Sequence, residues 1–503
     1  MLFNSLSYLV FFPAITLAYY AIPNLRLRNL LLLAGSYFFY MCWDPRFIVL
    51  MLGCTVLTYL NALFVDLSRR ETESEVPKEK RHTGGMTLYT GVTILFTLAV
   101  VAFFKYANFL TESLVSLLGL VGVQITIPKM NITLPVGISF FTFQSLSYVI
   151  DVYRGKTKAE RDFLTYALFV SFFPQLVAGP IERSGSLLRQ FHVRQRFSSD
   201  RAAKGAMLML WGYFMKIVVA DRVAVIVDQV YTYHGAYEGM IPIVATVLFA
   251  IQIYCDFNGY TTIAIGSAQV MGIELMENFQ QPYLAASVAD FWRRWHISLT
   301  SWFRDYVYFP LGGSRCARWK KYRNILIVFL ISGLWHGAAW TYVIWGGMNG
   351  LIQVIGDILK PAREKALKKM GIREDSLGQK LIRMLITFVL VDIAWIFFRA
   401  PDLAVAWSVL KSSLTVWNPW VLFDGTLYTL GLERIDFWVM VASILVLAGV
   451  DILHARGVRI RETVGGWPLI IRWGLIYLMI FWILLFGIYG PAYDAASFIY
   501  FQF

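Results

Sequence analysis

Long apolar runs separated by short polar stretches dominate the chain, falling at about 6–23, 28–43, 46–65, 86–104, 134–150, 205–220, 240–255, 324–345, 380–399, 436–453 and 468–489. At about 1.5 Å of rise per residue, about 20 helical residues cross the ~30 Å hydrocarbon core of a bilayer, so the pattern predicts an all-α polytopic membrane protein. No internal repeat, low-complexity tract or separate soluble domain interrupts it, and one transmembrane domain over 1–503 is expected.

Three stretches break the pattern. Segment 162–180 has basic flanks on both sides, Arg161 before it and Arg183 and Arg189 after it, and is interrupted by Pro174, Gly179 and Pro180. A re-entrant hairpin fits such flanks better than a crossing, and irregular backbone at that depth is tolerated only where protein buries it or where it lines a wet cavity. Phe291, Trp295, Leu299, Trp302 and Tyr306 recur at steps of four and three, which predicts one amphipathic helix at the membrane surface. Ser287 with Asp290 three residues on would cap it, Pro310, Gly312 and Gly313 would stop it, and His296 would share its protein-facing side with Trp292, Leu299 and Phe303. Residues 360–383, rich in Lys and Arg but holding Glu364, Glu374 and Asp375, read as a solvated loop with a short surface helix.

Composition agrees with the pattern, at 58% hydrophobic and 16% aromatic over 503 residues. The net charge of +13 is not the footprint of a nucleic-acid binder, because Lys and Arg sit in short segments between apolar runs, as in cytoplasmic loops, and no basic domain stands apart. Arg26 and Arg28 after the first run place the N-terminus outside, and Arg69, Arg70, Lys78, Lys80 and Arg81, then Arg154, Lys156, Lys158 and Arg161, agree with that orientation. Arg456, Arg459 and Arg461 mark another cytoplasmic loop, so the C-terminus is also expected outside. The first run lacks a basic leader and reads as a transmembrane helix rather than a signal peptide. Cys42, Cys54, Cys255 and Cys316 form no C-x-x-C pair and read as unpaired thiols.

Among six histidines, His82, His192, His234 and His454 lie in or near loops. His336 is different, near the middle of the run from Asn324 to Trp345 and flanked by Gly333 and Gly337, a spacing that lets a helix or ligand approach closely. One reading makes it a histidine hydrogen-bonded between helices; the other makes it a buried neutral imidazole that accepts a proton from a hydroxyl. His296, after Trp295, admits the same two readings. With no G-x-S-x-G elbow, the nucleophile is expected to be a substrate hydroxyl. With no H-E-x-x-H pattern or nearby cysteine pair, a metal site at His296 and His336 is not expected. Asp256, followed by Asn258, either orients an imidazole or a tryptophan N–H or caps a helix. Arg315, Arg318, Lys320 and Lys321 either hold the phosphates of a nucleotide-linked donor or mark a cytoplasmic loop.

The segments Leu134 to Phe140, Phe172 to Pro180, Asp256-Phe257-Asn258-Gly259-Tyr260, Phe291 to Phe303 and Gly333-Leu334-Trp335-His336-Gly337 together resemble the membrane-bound O-acyltransferase family, in particular its bacterial branch that acetylates alginate or transfers D-alanine to teichoic acid. The resemblance implies many helices around a central tunnel, His336 as principal catalytic residue, His296 as second histidine, and no bound cofactor. It also implies a cytoplasmic donor, acetyl-CoA, whose acyl group passes across the bacterial cytoplasmic membrane toward an envelope polysaccharide such as an alginate-like exopolysaccharide or peptidoglycan. An extracytoplasmic esterase-like acetyltransferase is the implied protein partner, besides membrane lipids. The alginate enzymes tend to carry histidine where Gln175 stands, so alginate itself is a less secure acceptor than envelope polysaccharide in general. D-alanyl transfer from a carrier protein is the alternative within the family, and a transporter the alternative outside it. The aromatic ending Ser497 to Phe503 looks like those of the polysaccharide-acylating branch; it is either an interfacial anchor or, through the Tyr500 hydroxyl, an acyl relay.

Overall fold

The computed structural model describes residues 1–73, 84–374, 376–489 and 499, and among these there are helices and no strand. Seven of the described helices are long and apolar enough to cross a membrane: Pro45–Arg70, Gly84–Leu120, Met240–Val270, Trp340–Lys369, Leu377–Arg399, Arg434–Ala455 and Leu469–Phe486. The chain is a multi-pass membrane protein. It divides into two compact units, Met1–Met209 with Ala264–Met276, and Leu210–Ile263 with Glu277–Phe503.

In the first unit, short polar side chains start the helices. Ser5 accepts the Tyr8 N–H at the head of Leu6–Ala21, and Asn24 accepts the Leu27 N–H at the head of Leu25–Met41, each satisfying a donor the helix leaves open. Arg28, expected as a mark of a cytoplasmic loop, is buried and donates to the carbonyls of Ile22, Tyr20 and Gln195. Segment 162–180 forms Phe163–Ser171 and Phe173–Leu176, which are too short to cross a bilayer and are buried from Thr165 onward, as the re-entrant reading requires of irregular backbone. A cavity of about 720 Å³ in this unit is lined by apolar residues such as Phe47, Phe96, Phe104 and Phe141, with Asn131 and Thr133 among them. None of the residues singled out for chemistry lines it.

The second unit departs from the sequence reading in three places. The apolar run 324–345 is not one helix: Arg318–His336 ends at the histidine, and Trp340–Lys369 begins after a three-residue turn. His336 is therefore a helix-terminal residue rather than a mid-span one. Residues 360–369, expected as a solvated loop with a short surface helix, are largely exposed and continue the second of these helices past Pro361. The amphipathic helix expected over 291–306 is two short helices, Val288–Arg294 and Ile297–Phe303, followed by a wider π turn at Arg304–Tyr308. Ser287 does cap the first, accepting the Asp290 N–H at 3.1 Å. Phe291, Trp292, Trp295, Leu299 and Trp302 are buried in protein while Arg293 and Arg304 are exposed, so the segment keeps the two faces expected of it.

The helices either side of His336 touch backbone to backbone. A Cβ on Gly333 would lie 2.3 Å from the Tyr342 carbonyl oxygen, and one on Gly346 2.3 Å from that of Phe329. The role expected for small residues flanking His336 is thus filled by the following helix. Gly333→Ala should lower the stability of the detergent-solubilised protein by about 1–3 kcal/mol. Gly347→Ala, whose Cβ would make an ordinary 3.7 Å contact with Leu330, should be neutral or stabilising by up to about 1 kcal/mol through helix propensity. Thermal unfolding of the two variants checks this, and equal melting points would contradict the tight contact.

Candidate active site

His296 sits at the break between Val288–Arg294 and Ile297–Phe303, with left-handed backbone at φ 43 and ψ 57. That conformation ends one helix and starts the next at an angle, and it turns the imidazole inward, where the residue is 1% exposed. Its Nδ1 lies 3.5 Å from the Ser298 hydroxyl, and its ring packs edge to face with Phe257 at 4.7 Å. His336 is 4% exposed and meets Trp335, Trp345 and Phe398 at ring separations of 4.9, 5.0 and 5.3 Å.

Trp335 joins the two sites, since its ring also lies 5.9 Å from that of His296. A second route of rings closes the loop: His336 to Trp345, then Trp395 at 5.8 Å, Trp295 at 5.2 Å, Phe279 at 5.0 Å, Phe257 at 5.2 Å, and back to His296. Such aromatic contacts each contribute about 0.5–1.5 kcal/mol beyond burial. They fix both imidazoles in an apolar wall. Trp345, Trp395 and Phe398 were not singled out in the sequence, where they read as span residues like any other.

Asp256 is neither a helix cap nor the partner of an imidazole or indole. It lies inside Met240–Val270, 2% exposed, with one carboxylate oxygen 2.5 Å from Lys216 Nζ and the other accepting the backbone N–H of Ile499 at 2.8 Å. Lys216, also 2% exposed, reaches Asp221 at 2.7 Å. Gly259 makes the meeting possible: a Cβ there would fall 2.9 Å from the Gly212 carbonyl oxygen and 3.0 Å from the Lys216 backbone nitrogen. Asp256, one turn earlier on the same face, is thereby brought to the ammonium. Lys216 was missed, although a lone lysine within the apolar run 205–220 is itself a signal.

The remaining candidates lie elsewhere. Asn258 accepts from the Thr262 hydroxyl at 3.3 Å and packs its amide on Met215 sulfur. Arg318, Lys320 and Lys321 occupy the first turn of Arg318–His336, with Arg315 just before it, about 27 Å along the axis from His336 at the other end. Lys321 is taken by Asp357 at 2.8 Å and Arg318 donates to the Tyr322 hydroxyl, while Arg315 and Lys320 are exposed. Tyr500 and His82 lie outside the described residues.

Burial pushes the His296 imidazole down to about 3, because an apolar surround disfavours the cation. The unfolded chain takes up this proton below about pH 6.5 and the folded chain does not. The stability contributed by the neutral ring is therefore complete above about pH 6.5 and is lost as the pH falls towards 3. Asparagine tolerates left-handed backbone and does not titrate, so His296→Asn should flatten the acid limb of the stability curve. Melting temperatures in detergent between about pH 7 and pH 4 test this, and parallel curves for the two proteins would contradict it.

Comparison with known proteins adds an independent line. Residues 158–391 match the membrane-bound O-acyltransferase family. The chain is 38% identical to the probable alginate O-acetylase AlgI of Pseudomonas aeruginosa, over 89% of this chain and 81% of that protein. It is 33% identical to the peptidoglycan O-acetyltransferase of Helicobacter pylori, over 82% and 79%. To the teichoic acid D-alanyltransferase of Bacillus subtilis it is 28% identical, over 54% and 70%.

Proposed function

Because the chain belongs to the membrane-bound O-acyltransferase family and is an O-acyltransferase, we propose that it carries acetyl from acetyl-CoA in the bacterial cytoplasm to a cell-envelope polysaccharide, with His336 as general base. The observation that carries this reading is the buried His336 at a helix end, joined through Trp335 to a second buried histidine. His336 takes the proton of an acceptor hydroxyl as that oxygen attacks the thioester carbonyl. The C–S bond then breaks, and the CoA thiolate leaves and is protonated. Acetyl rather than D-alanyl transfer is favoured because the relatives named for O-acetylation match over four fifths of this chain, and the D-alanyltransferase over about half. The reading includes both termini outside and an extracytoplasmic esterase-like acetyltransferase that receives the group.

His336→Ala should lower acetyl transfer by about 10²–10⁴-fold, the usual contribution of a positioned general base, while the protein elutes and melts as the wild type does. Turnover near the wild-type rate would remove His336 from the mechanism.

The donor reading places the CoA phosphates at Arg315, Arg318 and Lys320, with Lys321 committed to Asp357. Charge reversal of Arg315 and Lys320 should raise the donor KM and leave kcat nearly unchanged, since phosphate contacts act mainly through binding. An unaltered KM would leave this cluster as an orientation signal for the adjoining helix.

A further inference from the structure

A histidine stands where a helix usually has its capping side chain. His296 is the residue before Ile297–Phe303, and its imidazole makes no cap hydrogen bond to that helix. The first N–H groups of a helix have no partner within it and are commonly met by serine, threonine, asparagine or aspartate at this position. Here they are met from elsewhere. Asn278, in the loop ahead of Val288–Arg294, accepts the Ile297 N–H on its backbone carbonyl at 2.9 Å and the Ser298 N–H on its side-chain carbonyl at 3.1 Å. The Gln280 N–H donates to the Arg294 carbonyl at 3.0 Å, one of the carbonyls that Val288–Arg294 leaves open at its end. Between them, Phe279 lays its ring against Trp295 and Phe257. One segment, 278–280, thus ties both helix ends, and His296 lies between the ties.

Left-handed backbone is disfavoured for a residue with a Cβ, and it persists only where the surroundings over-determine it. The three hydrogen bonds supply that constraint at His296. Asn278 and Ser298 are 1% and 0% exposed, so removing the side-chain oxygen would leave a buried N–H without its acceptor. The Asn278 Nδ2 has no hydrogen-bond partner among the described residues. This side chain therefore serves as an acceptor only. Because the backbone sets the direction of each Cα–Cβ bond, the corner that Asn278 holds decides where the ring at 296 points.

We infer that Asn278 is a positioning residue of the histidine site: through Ile297 and Ser298 it holds the left-handed corner at His296, and so aims toward Trp335 an imidazole that is not used for capping. The inference rests on the proposed acyl transfer for its effect on turnover, and on the hydrogen bonds alone for the aim of the ring.

The test compares the full-length protein with Asn278→Leu, which keeps the bulk of the side chain and removes its oxygen, and with Asn278→Asp, which keeps an oxygen there and loses only Nδ2. Two measurements are made: carbethoxylation of each histidine by diethyl pyrocarbonate, read by mass spectrometry against exposed His192, and steady-state acetyl transfer from acetyl-CoA. In Asn278→Leu, loss of the bond to Ser298 should speed modification of His296 and lower kcat, each on the order of 10–100-fold, with His336 modification and the donor KM unchanged. Asn278→Asp should return both quantities towards wild type. If Asn278→Leu does not fold, replacing Ser298 with its α-hydroxy acid by nonsense suppression removes the same N–H, keeps every side chain and should give the same changes. His296 modified at the wild-type rate without the bond would overturn the clamp, as would equal gains at His296 and His336, which signal general loosening. Faster His296 modification with undiminished kcat would overturn its role in positioning. Failure of Asn278→Asp to restore either quantity would remove the side-chain oxygen from the account. A wild-type protein inactive with acetyl-CoA would sink the proposed function, and the modification rates would then decide the clamp by themselves.

Discussion

Two helices that meet backbone to backbone decide where His336 can stand. Gly333 and Gly346 let Arg318–His336 and Trp340–Lys369 approach until a single methyl group would collide with a carbonyl, and a turn of only three residues joins them. With the hairpin closed so tightly, the imidazole at its tip is confined between Trp335 and Trp345 of the hairpin and Phe398 of Leu377–Arg399. Shape holds the ring, since the neighbours that fix it are other rings. Hydrophobic burial and close packing are non-directional singly, but a closed circuit of eight rings leaves few arrangements in which all contacts survive.

The spans were legible because hydropathy is additive along a helix: 380–399, 436–453 and 468–489 correspond to Leu377–Arg399, Arg434–Ala455 and Leu469–Phe486. Polar punctuation misled at Asp256 and Asn258, which read as the end of a segment and lie inside Met240–Val270, satisfied by Lys216 and Thr262. The break after His336 was hidden for the opposite reason. Its turn, Gly337-Ala338-Ala339, is as apolar as its flanks, and hydropathy carries no information on backbone direction. At 291–306 the helical period survives because both short helices bury the same kind of residue, while the left-handed corner at His296 has no glycine to announce it.

Both histidines were expected to be buried, and they are; burial belongs equally to a histidine held between helices and to a catalytic one. Their supports were not legible. Trp345, Trp395 and Phe398 come from two different helices, and nothing local distinguishes a ring that walls a site from a ring that faces lipid. Lys216 carries a local signal, a charge in an apolar run, but its partner lies on another helix and is matched to it by two glycines in contact. Pairings of this kind belong to tertiary structure, which one sequence does not display.

The end-of-helix position of His336 has an electrical consequence. The peptide dipoles of Arg318–His336 sum towards about half a negative charge at its C-terminal end, where the imidazole sits. In the proposed role of His336 as general base, the positive charge formed on the ring would lie against that fixed partial charge. Oriented peptides of this kind stabilise a cation by about 0.3–1 kcal/mol at an exposed site and up to about 2 kcal/mol when partly buried. They need no reorientation at the moment of proton transfer. A helix that stops at the histidine thus offers an imidazolium there a counter-charge made of backbone, which a helix running straight through would have spent on its own next turn.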